Sequence, residues 1–338
     1  MIDLGTLGGN ESEAQAVNDA CKTVGHSIDS YDDWQAVLWN SADDMTNLGF
    51  GGEHNYAYGI NDSGQIVGQA AYGSGDCLAV LWDPVSGLTD LGTLGGENYS
   101  YNGALDISNG GYVTGFSRDP TGDYHAFIWD STTGMTDIGT LHGWDYSAGT
   151  GVNDTGQVVG QASNSATQEN RAFLWDSNRG MIDLGTLGGD RSYGKDINNA
   201  GRVVGSAYNS DGALRAFLWE DGAGMADLGT LGGESSAAHA INDLGQVVGR
   251  AQVPNGDWHA FLWDSTSGMT DLGTLGGGYG CAYGINNLAY IVGASTTSDT
   301  GELHAFLIIP EPGSLALLAL GGIALARRRT LRGAAQAA

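Results

Sequence analysis

Residues 55–91, NYAYGINDSGQIVGQAAYGSGDCLAVLWDPVSGLTDL, hold one complete copy of the pattern that decides the fold. Four short runs rich in β-branched and aromatic residues, at 55–61, 65–70, 78–82 and 88–91, are each bounded by Gly, Asn, Asp or Ser, which reads as four short strands separated by turns. The first link, Asn61-Asp62-Ser63-Gly64, is a hairpin signal with a mechanism: Asn and Asp tolerate turn geometry, and the final Gly adopts positive φ without strain. Close relatives of that link stand at 153–156, 198–201 and 242–245.

Outward from this copy, three landmarks recur in fixed order. D-L-G-like segments begin at Asp3, Asn47, Asp90, Asp137, Asp183, Asp227 and Asp271. Val-rich runs end at Gly25, Gly68, Gly115, Gly160, Gly205, Gly249 and Gly293. Segments of the type H-A-F-L-W place their alanine at Ala36, Ala79, Ala126, Ala172, Ala216, Ala260 and Ala305, with successive spacings of 43 to 47 residues. A four-stranded propeller blade takes roughly 40 to 50 residues, so the spacing predicts an all-β, seven-bladed β-propeller over residues 1–309. The first strand of each unit carries Ala or Gly three places ahead of its closing Ile/Val (Ala14, Ala57, Ala104, Gly149, Gly194, Ala238, Ala282), as crowding near a central axis requires. Two places ahead, Gln15, Tyr58, Leu105, Thr150, Lys195, His239 and Tyr283 follow no rule. Phe, Leu and the six Trp of the third strands, with the paired valines of the second, are expected to fill the space between neighbouring sheets.

The chain starts with a fourth strand that lacks its first three, and the last unit has three strands and no fourth. Pairing the start with residues 304–308 completes the seventh blade and removes an exposed edge. The alternative, an open β-solenoid, calls for atypical polar caps, which neither end displays.

Composition narrows the function. With 13 Lys+Arg against 39 Asp+Glu the formal charge is -26, which repels phosphate and excludes nucleic acid as a partner. A hydrophobic content of 41% with 9 Trp excludes a disordered acidic chain, and the 57 glycines serve turns.

After Ile309 the composition changes. The tail, residues 310–338, consists of Pro310-Glu311-Pro312, an uncharged run at 313–326 expected to be a short apolar helix, and a basic tail 327–338 that opens with Arg327, Arg328 and Arg329. These features, in this order at the C-terminus, resemble the PEP-CTERM protein-sorting domain of bacterial exported proteins, and the preceding units resemble the HAF family of extracellular repeats. The resemblance implies recognition by an exosortase near Pro310, Glu311 and Pro312, transient inner-membrane anchoring through the apolar run with the arginine cluster on the cytoplasmic side, and a cell-surface or extracellular destination. Fourteen helical residues span about 21 Å against about 30 Å of hydrocarbon, short for a stable crossing. Export needs a leader, and Met1 stands where a unit's own methionine falls, as Met181 does; the expectation is a longer reading frame upstream.

The chemistry-bearing residues read mostly as structure. His125, His259 and His304 occupy one repeat position that accepts Leu78, Arg171 and Arg215 elsewhere, so they are not metal ligands. Cys21, Cys77 and Cys281 share no framework position, and no disulfide is expected. The acidic loops at 29–33, 119–123, 209–211, 255–257 and 299–302 suit calcium by ligand type but match no calcium-loop motif; solvated loops are preferred and no cofactor is assigned. Glycine patterns such as Gly92-Thr93-Leu94-Gly95 lack a phosphate-loop lysine and read as turns. Candidate ligand contacts are His142 and Trp144, in the most irregular turn, with Lys195 and His239 on the inner strands. The functional expectation is a non-catalytic exported interaction module associated with exopolysaccharide or other surface proteins. The alternative is a carbohydrate-active hydrolase or lyase, which a pair of non-repeating carboxylates near the axis would favour.

Overall fold

The computed structural model describes residues 1–52, 54–72, 76–96 and 101–310. Among these, 28 strands form seven antiparallel sets of four, six of them consecutive in the chain and the seventh made of the last three strands and the first. The second set is His54–Ile60, Ile66–Tyr72, Asp76–Asp83 and Gly87–Asp90, within two residues of the sequence expectation at each boundary. The inner strands of the seven sets, here called units one to seven, are Gly8–Val17, His54–Ile60, Gly103–Ile107, Tyr146–Val152, Gly188–Ile197, Ser236–Ile241 and Gly276–Ile285. The hairpin links take the expected form: Gly64 has φ +82°, its N–H bonds to the Asn61 carbonyl, and the Asn61 Oδ1 accepts from Gln65 N at 3.0 Å.

Closure happens where the sequence predicts. Ile2–Asp3 pairs antiparallel with Leu303–Ile308, in the register Ile2 to Leu307 and Asp3 to Phe306. Leu4 continues the contact, donating its N–H to the Ala305 carbonyl and accepting the Trp39 indole N–H at 3.1 Å. One apolar cluster then joins both ends of the chain: Leu4, Ala14, Val37 and Trp39 pack with Val292, Ala305 and Leu307.

The core lies between neighbouring sheets. Val159 and Leu174 of unit four pack with Ile197, Val203 and Phe217 of unit five, and Val204 and Ala216 of unit five with Ile241, Val247 and Phe261 of unit six. The small residues of the inner strands are there because the next sheet leaves no room: a Cβ on Gly194 would lie 2.7 Å from the Gly160 carbonyl oxygen and 2.7 Å from a Val159 methyl. All six third-strand tryptophans join these inter-sheet clusters, as expected, but to different depths. Trp39 and Trp219 are buried, but Trp82, Trp129, Trp175 and Trp263 are only half-buried. All stand at the same register opposite a residue of the outer strand (Trp39 to Met45, Trp175 to Met181, Trp219 to Met225, Trp263 to Met269); Phe127, Phe173, Phe217, Phe261 and Phe306 are fully buried, as is Trp39.

Candidate functional site at the axis

Each inner strand carries one register skip next to its small residue: between Ala14 and Ala16, Ala57 and Gly59, Ala104 and Asp106, Gly149 and Gly151, Gly194 and Asp196, Ala238 and Ala240, and Ala282 and Gly284. A bulge of this kind leaves one residue unpaired and re-aims its side chain. The unpaired residues are those that follow no rule in the sequence. Gln15, Tyr58, Leu105, Thr150, Lys195, His239 and Tyr283 line a cavity of about 320 Å³, joined by Asp106 and Asp196.

Those two aspartates are the residues that sequence reasoning missed. They stand one place ahead of the closing Ile, where the other five units carry Ala16, Gly59, Gly151, Ala240 and Gly284. That break in an otherwise small-residue position was legible in the aligned repeats, but only the carboxylates that recur were weighed. Asp106 accepts from its own neighbour Ile107 N at 2.8 Å and from Val152 N of the next unit at 2.8 Å. Asp196 does the same, with Ile197 N at 2.7 Å and Ile241 N at 2.8 Å. Burial pushes the Asp106 carboxyl up to about 6, its backbone donors opposing, while burial first and the Asp106 charge second push Asp196 up to about 8.

A lysine and a histidine share the cavity with them. Burial lowers the Lys195 ammonium, and burial, with Lys195 and Arg250 nearby, lowers the His239 imidazole to about 3, so the ring is neutral. His239 Nε2 is buried without a hydrogen-bond partner, and its ring meets Tyr283 edge-on at 5.4 Å between centroids. Tyr58 stacks on Tyr56 at 6.0 Å.

At one mouth of this axis the hairpin turns link the units in a closed circuit, through the residue after the turn asparagine in six units and through Asn109 and Gly110, after Ser108, in unit three. Asp19 N donates to Asp62 Oδ1, Asp62 N to Asn109 Oδ1, Gly110 N to Asp154 Oδ1, Asp154 N to Asn199 Oδ1, Asn199 N to Asp243 Oδ1, Asp243 N to Asn287 Oδ1 and Asn287 N back to Asp19 Oδ1, all at 2.8 to 3.0 Å. These carboxylates serve as turn and strand-end acceptors, as the repeat suggested, and Asn199 Nδ2 further bridges Asp154 and Asp243.

The other candidates fall elsewhere. His142 is exposed and Trp144 packs against the apolar cluster around Ile138 and Phe173; neither lines the axial cavity, whereas Lys195 and His239 both do. His125, His259 and His304 each reach the aspartate of the outer strand, Asp137 at 2.9 Å, Asp271 at 2.9 Å and Asp3 at 2.8 Å, and Arg171 and Arg215 approach Asp183 and Asp227 from the same position. The acidic loops spend their carboxylates on turns: Asp29 Oδ1 accepts from Tyr31 N and Asp33 N, and Asp119 Oδ1 from Thr121, Gly122 and Asp123 N. Among the described residues no group of three His, Cys, Asp or Glu is placed to hold a metal ion. Cys21 and Cys281 carry free thiols, and burial pushes the Cys281 thiol up to about 12. Pro310 ends the described chain; Glu311, Pro312, the 313–326 segment and Arg327, Arg328 and Arg329 lie outside the described residues. Among the described residues no helix is long and apolar enough to cross a membrane.

Known proteins resemble this chain in two separate ways. Residues 309–329 match the PEP-CTERM protein-sorting motif, a signal of exported proteins that exosortase machinery sorts. In fold, the chain is similar to the β-propeller domain of the trilobed protease from Pyrococcus furiosus, which has an open velcro topology (TM-score 0.59, 11% identity, 88% of this chain and 95% of that one). It is also similar to acylaminoacyl peptidase from Pyrococcus horikoshii (TM-score 0.58, 10% identity, 91% of this chain and 52% of that one) and to TolB from Acinetobacter baumannii (TM-score 0.50, 12% identity, 85% and 80%). No curated protein matches the chain. The fold is thus a β-propeller, and at these identities the likeness speaks for the fold alone. The chain carries the sorting motif at its C-terminal end.

Proposed function

We propose that the chain is a seven-bladed, strand-exchanged propeller of the HAF-repeat type that is exported, sorted by an exosortase through residues 310–338, and works without catalysis as a binding module at the cell surface or in the extracellular matrix, its ligand lodging in the axial cavity. The observation that carries this reading is where the repeat breaks. Positions in the sheet-to-sheet core keep their residue type from unit to unit, while Lys195, His239, Tyr58, Tyr283, Asp106 and Asp196 differ and gather around one cavity of about 320 Å³, the size that small-molecule sites have. A binding role is favoured over catalysis because each oxygen of Asp106 and Asp196 already accepts a backbone N–H.

The second reading, a carbohydrate-active hydrolase or lyase, draws on that same pair: two half-buried carboxyls held at unequal positions on the pH scale are what acid–base chemistry uses. A glycan array separates the two. Binding that Lys195→Met weakens roughly tenfold or more, without release of shorter or unsaturated products, supports the module. Product formation that Asp196→Asn abolishes supports the enzyme. Mass spectrometry of the protein from its host addresses the sorting route: a C-terminus between residues 310 and 313 is expected, and an intact Ala338 argues against processing.

A further inference from the structure

We propose that the axial cavity takes a ligand bearing a carboxylate and that the backbone N–H groups of Val17, Ile60 and Ile285 receive it, a proposal that rests on the cavity being the binding site. The direction of these groups follows from the hairpins. Asn18 N donates to Lys22 O, Asn61 N to Gln65 O and Asn286 N to Tyr290 O across their turns. Successive amides of an antiparallel ladder point to opposite sides, so the preceding N–H in each case faces away from the partner strand, toward the axis. The same holds in all seven units, since Ser108, Asn153, Asn198 and Asn242 make the equivalent bond.

Four of the seven inward N–H groups are already occupied. Asp106 holds those of Ile107 and Val152, and Asp196 holds those of Ile197 and Ile241, each carboxylate placing one oxygen on its own unit and the other on the next. The remaining three belong to units seven, one and two, which are consecutive around the closed ring, and they find no acceptor among the described residues. Where Asp106 and Asp196 stand, these units have Gly284, Ala16 and Gly59. The internal aspartates therefore display how a carboxylate sits in this ring, and the vacant arc repeats the arrangement without supplying the carboxylate. A ligand carboxylate bridging Val17 to Ile60, or Ile285 to Val17, would make the contacts of 2.7 to 2.8 Å that the aspartates make.

The surroundings suit a small carboxylate that carries further polar groups. Gln15, Tyr58 and Tyr283 are the side chains that the bulges of units one, two and seven turn toward the cavity, offering an amide and two phenols. Lys195 faces the same space and forms no ion pair among the described residues, so it is available to balance an incoming negative charge. Two oxygens on one carbon match two strand amides in the way one aspartate does, which a neutral ligand cannot copy with one atom group.

Amide chemical-shift mapping of the whole chain with sodium glucuronate, and with glucose as the neutral match, tests this. Glucuronate should move the Val17, Ile60 and Ile285 amides while Val152 and Ile241 stay in place. Ala16→Asp, which puts a carboxylate at the position Asp106 and Asp196 occupy, should weaken glucuronate binding roughly tenfold or more. If glucose and glucuronate perturb the cavity equally and the three amides do not move, the carboxylate assignment is wrong while the cavity remains a binding site. If neither probe moves any cavity amide, both ideas fail. The wild-type titration decides the matter even where Ala16→Asp does not fold.

Discussion

Units five and six are close to interchangeable in their outer strands and unlike at their inner edge. In the outer strands Arg215 and His259 each approach the aspartate of the following strand, Phe217 and Phe261 are fully buried, and Trp219 and Trp263 stand opposite Met225 and Met269. At the inner edge Lys195-Asp196 stand where unit six has His239-Ala240. The sheet-to-sheet space is the same problem in every unit and receives the same solution. The axial space is shared by all seven units, so its contents are set once for the whole ring and no unit needs to repeat them.

Three substitutions sharpen that contrast. The largest effect is expected from the repeated core: Phe217→Ala should cost about 3–5 kcal/mol, read by chemical denaturation, because it empties a fully buried site between two sheets. A cost near zero would mean that the sheets do not depend on this shared core. Asp196→Asn should cost about 1–3 kcal/mol, since a carboxamide offers an N–H where a strand N–H now finds an acceptor. This exchange also changes the pH profile. The folded carboxyl, raised above its unfolded value, binds the extra proton in the native state, so the stability it contributes is full below about pH 4 and is lost progressively as pH rises from there through about 8. Wild-type stability should accordingly decline between about pH 4 and about pH 8 and level off above, and the Asp196→Asn profile should be flatter over that range; parallel profiles would show that Asp196 is not the titrating group. The smallest effect belongs to the outer shell. Arg215→Ala, at a half-exposed pair with Asp227, should change stability by about 0–1 kcal/mol and less in high salt. A larger loss would place stabilising weight on the strand pairs that the regular pattern assigns to the phenylalanines.

Much of this was legible in the residues. The strand boundaries of unit two, the positive φ at Gly64, and the pairing of the first residues with the last strand all follow from turn chemistry and from the way the two chain ends complement each other. The tryptophans were placed between the sheets correctly, but hydrophobicity alone does not say how deeply each is covered. Of the candidate contacts, Lys195 and His239 came from noticing which inner-strand position varies; His142 and Trp144 came from an irregular turn, and an irregular turn need not face the axis. Asp106 and Asp196 were hidden among 39 acidic residues, most of which recur with the repeat.

The order of residues alone determined the strands, the turns, the number of units and the sorting motif, because each depends on near neighbours or on counting copies. Only the tertiary structure decided that the bulged residues of seven distant segments share one cavity, and that two aspartates satisfy the strand amides of units three to six while the arc from unit seven to unit two has no such carboxylate among the described residues. Which donors meet which acceptors across a ring depends on how the sheets are arranged about the axis, and no local stretch of chain encodes that distance.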